Sequence, residues 1–152
     1  MTKVQSTVAA ILERAVERAR AAGLPYRGAL TPSEAHQLVA AGAARLIDVR
    51  SSFEWDFVGH FPGSTLIEWK RLGGVPNPDF IAQLGAQGAR DQNYLFMCRS
   101  GARSHAAAVA ASESGYANAF NVLEGFEGDL DEEQHRGARN GWRHAGLPWI
   151  QG

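Results

Sequence analysis

NYLFMCRSGARSHAAAVAASESG, residues 93–115, decides the fold. Tyr94–Met97 is a short apolar run with aromatics, the pattern of a buried strand. It runs directly into Cys98, then through the polar stretch Arg99–Arg103 into an alanine-rich helix closed by Gly115. Strand, glycine-bearing turn and helix in that order form part of a βαβ unit. In open parallel sheets such turns lie beyond the carboxyl ends of strands, where ligands bind.

The alternation continues on both sides. Upstream, TPSEAHQLVAAG (31–42) is a helix with Thr31 as cap, Pro32 in the first turn and Glu34 completing a capping box. ARLIDV (44–49) and STLIEW (64–69) read as strands, with a short capped helix in SSFEWDFVG (51–59) between them. NPDFIAQLGAQG (77–88) reads as helical despite Gly85. Downstream, NAFNVL (118–123) is a strand, and RNGWRHAG (139–146) a final helical turn or two. The polar, glycine-rich residues 124–141 form a long surface loop. Helices alternating with strands predict an α/β domain with a mainly parallel sheet.

Residues 4–22 place Val4, Val8, Ile11, Leu12, Ala15, Val16 and Ala19 at helical spacing. Gly23 and Pro25 end the segment. It is expected to pack on the domain, with pairing in a homodimer as the alternative. The expected division is an N-terminal helix and connector over 1–29, and a catalytic domain over 30–152.

A chain of 152 residues suits one core. Hydrophobic residues at 45% and charged residues at 20% fit a globular protein rather than a disordered one. A net charge of −1 gives no general electrostatic case for nucleic acid or anionic membrane. No run of about 18 apolar residues exists to span a bilayer, and the N-terminus lacks the pattern of a signal peptide. The single cysteine excludes an internal disulfide and fits a reducing cytoplasm. His36, His60, His105, His135 and His144 show no metal-ligand spacing, so neither metal nor cofactor is expected.

The chemistry concentrates at Cys98. Gly101 permits a tight turn, and residues 99–103 curling around the sulfur would point successive N–H groups inward as an anion nest. The helix beginning near Ser104 adds its positive end, and Arg99 and Arg103 add full charges. Each feature favours the reactive thiolate and would also hold an anionic substrate. A buried structural cysteine is the plainer alternative.

At these residues the chain resembles the rhodanese-like sulfurtransferase family. LIDVRSSFEWDFVGHFPGSTLIEW (46–69) is similar to the family's first signature, an Asp-x-Arg strand end followed by Glu and Gly-His-x-Pro-Gly. YLFMCRSGARSHAAAVAASESGYANAFNVLEGF (94–126) is similar to its active-site strand, loop and helix, and GWRHAGLPW (141–149) to its closing segment. The resemblance implies a three-layer α/β/α domain with a mainly parallel five-stranded sheet. It places the family's catalytic cysteine on Cys98, and its binding loop on Arg99, Ser100, Gly101, Ala102 and Arg103, with Ser104 as a further hydroxyl donor or a helix cap. It implies that Cys98 takes sulfane sulfur from thiosulfate or another small anionic donor. The Cys98 persulfide would then pass it to cyanide or a thiol, with glutathione, thioredoxin or a sulfur-carrier protein as candidate acceptors.

Asp48, Arg50, Glu54 and His60 are expected to be structural, the first three as a salt-bridge network and His60 as a brace for the GHFPG turn. Trp55, Phe57, Phe61 and Trp69 read as core or rim packing, and Trp142 and Trp149 as packing of the chain's end or a border of the entrance. Phe126, where the family commonly has a second glycine after Gly125, is expected to narrow the pocket mouth. Two other readings are a phosphatase or arsenate-reductase type of anion enzyme and a non-catalytic partner-binding module. Related phosphatases place five residues between cysteine and arginine; here four, residues 99–102, separate Cys98 from Arg103. The module reading is weakened because Cys98 and the whole loop are present.

Overall fold

A computed structural model of the chain describes residues 2–152. Its sheet has five strands in the order β1-β7-β6-β2-β3: β1 (Gly28–Leu30), β2 (Arg45–Asp48), β3 (Ser64–Leu66), β6 (Tyr94–Met97) and β7 (Ala119–Val122). Every pairing within it is parallel. The small β4 (Lys70–Arg71) and β5 (Val75–Pro76) form a separate antiparallel hairpin. The helices are α1 (Lys3–Ala22), α2 (Pro32–Ala40), α3 (Phe80–Gly85) and α4 (Ala102–Glu113).

The central strands β2, β6 and β7 are apolar along most of their length because both faces are covered. One core contains Ile47, Val49, Phe80, Leu84, Phe96, Ala107, Ala108 and Ala111, joining the sheet to α3 and α4. The other contains Ile11, Ala15, Leu38, Leu46, Leu95, Phe120, Phe126 and Trp142, on the α1 and α2 side. Buried Ala107, Ala108 and Ala111 let the α4 backbone approach β6 and β7.

Residues read as a connector carry the first strand. The main chain of Arg27 donates to Ala119 O, and Gly28–Leu30 pairs with β7. Three residues with glycine and alanine have neither the length nor the β-branched content to announce a strand. Helix α1 packs on the domain through buried Ile11, Ala15 and Ala19. Arg14 and Arg18 reach Glu34, whose Oε1 also accepts from Thr31 N in the capping box of α2.

The short helix read in 51–59 is a single π-helical turn, Glu54–Val58. It is opened by a reciprocal pair: Ser51 N donates to Glu54 Oε1 and Glu54 N donates to Ser51 Oγ. The closing segment 139–146 is hydrogen-bonded turn rather than helix. Ala145 N donates to Gly141 O and Gly146 N to Arg143 O. Glycines at both of its ends adopt positive φ and leave too few residues to sustain a helix.

Candidate functional site

Strand β6 delivers Cys98 to the carboxyl edge of the sheet, buried at 1% exposure. Gly101 turns the loop back with φ +119, a conformation suited to glycine. Its N–H donates to Cys98 Sγ at 3.1 Å. The amides of Arg99, Ser100, Ala102, Arg103 and Ser104 have no protein acceptor among the described residues. The loop and the start of α4 thus carry backbone donors with no protein acceptor, alongside the Gly101 N–H that reaches the sulfur, and groups of this kind bind anions.

The loop is held from below by a second close approach. Phe126 N donates to Cys98 O, and Glu127 N and Gly128 N donate to Arg99 O. Gly125, at φ +68, lies so near that a Cβ there would stand 2.5 Å from the Arg99 carbonyl and from Cys98 O. The chain after β7 therefore fixes the loop through backbone contacts that only glycine permits.

The two arginines part company. Arg103 makes a bidentate pair with Glu54, Nη1 to Oε1 at 2.6 Å and Nη2 to Oε2 at 2.9 Å. Burial pushes the Glu54 carboxyl up. The Arg103 hydrogen bonds and charge, the Ser51 amide and the Arg50 charge outweigh it and hold Glu54 at about 2. Hydrogen bonding to Glu54 in turn raises Arg103 above its ordinary value. Arg99 is exposed, and its guanidinium has no hydrogen-bond or ion-pair partner among the described residues.

Ser104 is buried beside the sulfur, with its Oγ 3.3 Å from Cys98 Sγ. The same hydroxyl contacts Gly101 O at 3.1 Å and Asn121 Oδ1 at 2.6 Å. Sequence reasoning missed Asn121. The available signal was a polar residue inside the apolar strand β7, since a buried amide requires partners.

Asp48 and Arg50 are both fully buried and paired through Arg50 N, Nε and Nη2, with Nη2 also donating to Gly59 O. Glu54 makes no hydrogen bond to this pair and joins Arg103 instead. The expected three-membered network is thus two separate ion pairs. Arg50 lies over the Phe126 ring at 4.3 Å. That placement corrects the expectation for Phe126: its side chain is fully buried beneath Arg50 and does not narrow the pocket mouth. His60 stacks on Trp55 at 3.8 Å, and its Nδ1 lies 3.1 Å from Trp55 O. Its backbone pairs with Ile150, tying the turn to the end of the chain. Phe57 is exposed, Trp142 fully buried, and Trp149 partly exposed beside Arg143. No cluster of metal-ligating side chains occurs among the described residues, and no helix there is long and apolar enough to cross a membrane.

Residues 31–132 match the family model described as a rhodanese-like domain. The chain is 45% identical to the protein in the crystal structure of Rv0390 from M. tuberculosis, with a TM-score of 0.75, covering 84% of this chain and 99% of that one. It is 31% identical to the uncharacterized protein RP600 of Rickettsia prowazekii over 75% of this chain and 89% of that protein. The polysulfide-sulfur transferase homodimer of Wolinella succinogenes shares the fold at a TM-score of 0.57 and 19% identity, over 99% of this chain and 91% of that one.

Proposed function

This chain belongs to the rhodanese-like domain family, and from that premise we propose that it is a sulfurtransferase working through a persulfide on Cys98. One observation carries the reading. The only cysteine of the chain sits at the end of β6 under the Gly101 N–H, among loop amides with no protein acceptor. Such a site serves two purposes at once. Its dipoles stabilise an anionic sulfur, and they receive the anionic end of a donor.

With thiosulfate as donor, the Cys98 thiolate attacks the outer sulfur. The new S–S bond forms as the sulfur–sulfonate bond breaks, and sulfite leaves with the bonding pair. Charge is conserved, because a thiolate and a dianion become a persulfide anion and sulfite. Cyanide or a thiolate then attacks the terminal sulfur and Cys98 is released as thiolate. Exchange in two half-reactions predicts ping-pong kinetics. Arg99, unpaired at the loop's exposed edge, is the cation placed to meet the sulfonate by charge-assisted hydrogen bonds. Arg103 braces the loop through Glu54.

With no second cysteine in the chain, the sulfur leaves to another molecule. A thiol such as glutathione, thioredoxin or a sulfur-carrier protein suits that role, in a reducing compartment such as the cytoplasm. The Wolinella homodimer that shares this fold is a polysulfide-sulfur transferase, which is consistent with this class of donor. The test is thiocyanate production from thiosulfate and cyanide. Wild type is expected to turn over with ping-pong kinetics and Cys98→Ser to be inactive. Equal rates for the two would refute the mechanism.

A further inference from the structure

Cys98, Ser104, Asn121 and Gly101 close a ring of hydrogen bonds. Cys98 Sγ meets Ser104 Oγ at 3.3 Å, Ser104 Oγ meets Asn121 Oδ1 at 2.6 Å, and Asn121 Nδ2 reaches Gly101 O at 3.4 Å. Gly101 N–H donates back to Sγ at 3.1 Å. Cys98, Ser104 and Asn121 are all more than nine-tenths buried, so water does not substitute freely for any member.

A serine hydroxyl has one hydrogen to give. With Asn121 Oδ1 facing it, that hydrogen goes to the shortest contact, the amide oxygen. Ser104 Oγ then turns lone pairs toward Cys98, which suits a thiol donating S–H and opposes an anionic sulfur. If the amide turns over, Nδ2 donates to Ser104 Oγ, and the hydroxyl hydrogen is released from Oδ1 to be shared between the sulfur at 3.3 Å and Gly101 O at 3.1 Å. The turned Oδ1 then needs a donor, and the Tyr26 phenol can serve only with His105 Nδ1 protonated and donating to the phenol oxygen. Tyr26 OH is itself held by His105 Nδ1 at 2.8 Å. Gly101 O loses little, because His105 N also donates to it at 3.0 Å.

Resting on the reading of Cys98 as a sulfur-carrying nucleophile, the geometry points to Asn121 as a positioning residue whose amide sets the direction of the Ser104 hydroxyl. In one orientation the ring holds a thiol; in the other it donates to thiolate or persulfide. Asn121 touches neither the sulfur nor a substrate, and acts through Ser104.

The experiment follows the ultraviolet thiolate absorbance of the single cysteine against pH, with the matching Cys98→Ser protein as blank. The charged and titratable groups around the loop are Arg99 and Arg103, Glu54 facing Arg103, the Asp48–Arg50 pair at the end of β2, and the Tyr26–His105 pair at the start of α4; all are left unchanged. Asn121→Asp offers only acceptors when ionised and locks the hydroxyl away from the sulfur. Its titration midpoint is expected to rise by about one pH unit or more, with sulfur loading near neutral pH slowed about tenfold. Asn121→Leu removes the amide and frees the hydroxyl, so its midpoint is expected not to rise. The decisive comparison adds Ser104→Ala. If Asn121 acts through Ser104, most of the Asn121→Asp shift disappears in the double variant. An equal shift with and without the hydroxyl, or no shift in Asn121→Asp, overturns the proposal. The titration does not depend on turnover. A shift that vanishes with the hydroxyl, in a protein that accepts no sulfur from any donor, would support the positioning role and count against the sulfurtransferase reading alone.

Discussion

The two ends of the Cys98 loop carry the same kind of side chain and do opposite things. Arg103, at its close, is drawn to Glu54 on the turn after β2 and makes two hydrogen bonds there. Arg99, at its opening, gives its carbonyl to Glu127 and Gly128 while its guanidinium stays exposed and unpaired among the described residues. Residue type alone does not distinguish them. What distinguishes them is the position of an acceptor, and Glu54 is in place because Ser51 and Glu54 cap each other across the turn. The Arg103 side chain is committed to an ion pair, whereas the Arg99 side chain is left available, as the proposed function requires.

That contrast is open to direct attack. The largest effect is expected at the fixed end. Arg103→Ala releases the loop from the Glu54 turn, and kcat/KM for thiosulfate should fall about 100-fold, since small displacements of a reacting group are costly. A loss confined to KM would instead make Arg103 a substrate ligand.

Gly125→Ala strikes the backbone at the loop's opening, from beneath. Its Cβ would collide with the Cys98–Arg99 peptide, and the backbone there has positive φ. Thermal unfolding should show a loss of about 1–3 kcal/mol, together with reduced sulfur loading. An unchanged melting temperature would mean that the contact is easily relieved.

At the open end, Arg99→Ala should raise KM for thiosulfate about tenfold with kcat and stability nearly unchanged. An unaltered kcat/KM would remove Arg99 from substrate capture.

The smallest effect concerns acid. Glu54 is held at about 2, below its ordinary 4.5. A carboxyl depressed by folding contributes stability that is fully present above about 4.5 and is lost as pH falls toward about 2. Wild type should therefore lose more stability than Glu54→Gln across that window, with no change in their difference above it. Parallel acid profiles would show that the pair contributes nothing through ionisation.

The alternation of apolar runs and capped helices made the α/β class legible, and β6, Cys98 and α4 were readable because strand, turn glycine and helix follow without interruption. Strand β1 was not, since a Gly-Ala-Leu segment becomes a strand only by pairing with β7. The loop's chemistry was readable from residue types, but the division between Arg99 and Arg103 depends on a carboxylate more than 40 residues away. Phe126 misled for a related reason. Its place in sequence beside Gly125 suggested the mouth, whereas the backbone turn at Gly125 sends the ring inward beneath Arg50. Asn121 was visible only as an anomaly in an apolar strand, and its partners come from α4 and the loop.

A sulfur carried on Cys98 would register in the intact mass of the protein after exposure to thiosulfate. Wild type should gain about 32 Da, the mass of one sulfur, and lose it on addition of cyanide, while Cys98→Ser gains nothing. An unchanged wild-type mass with thiosulfate, polysulfide and other sulfane donors, or an equal cyanide-labile gain in Cys98→Ser, would rule out Cys98 as the sulfur carrier.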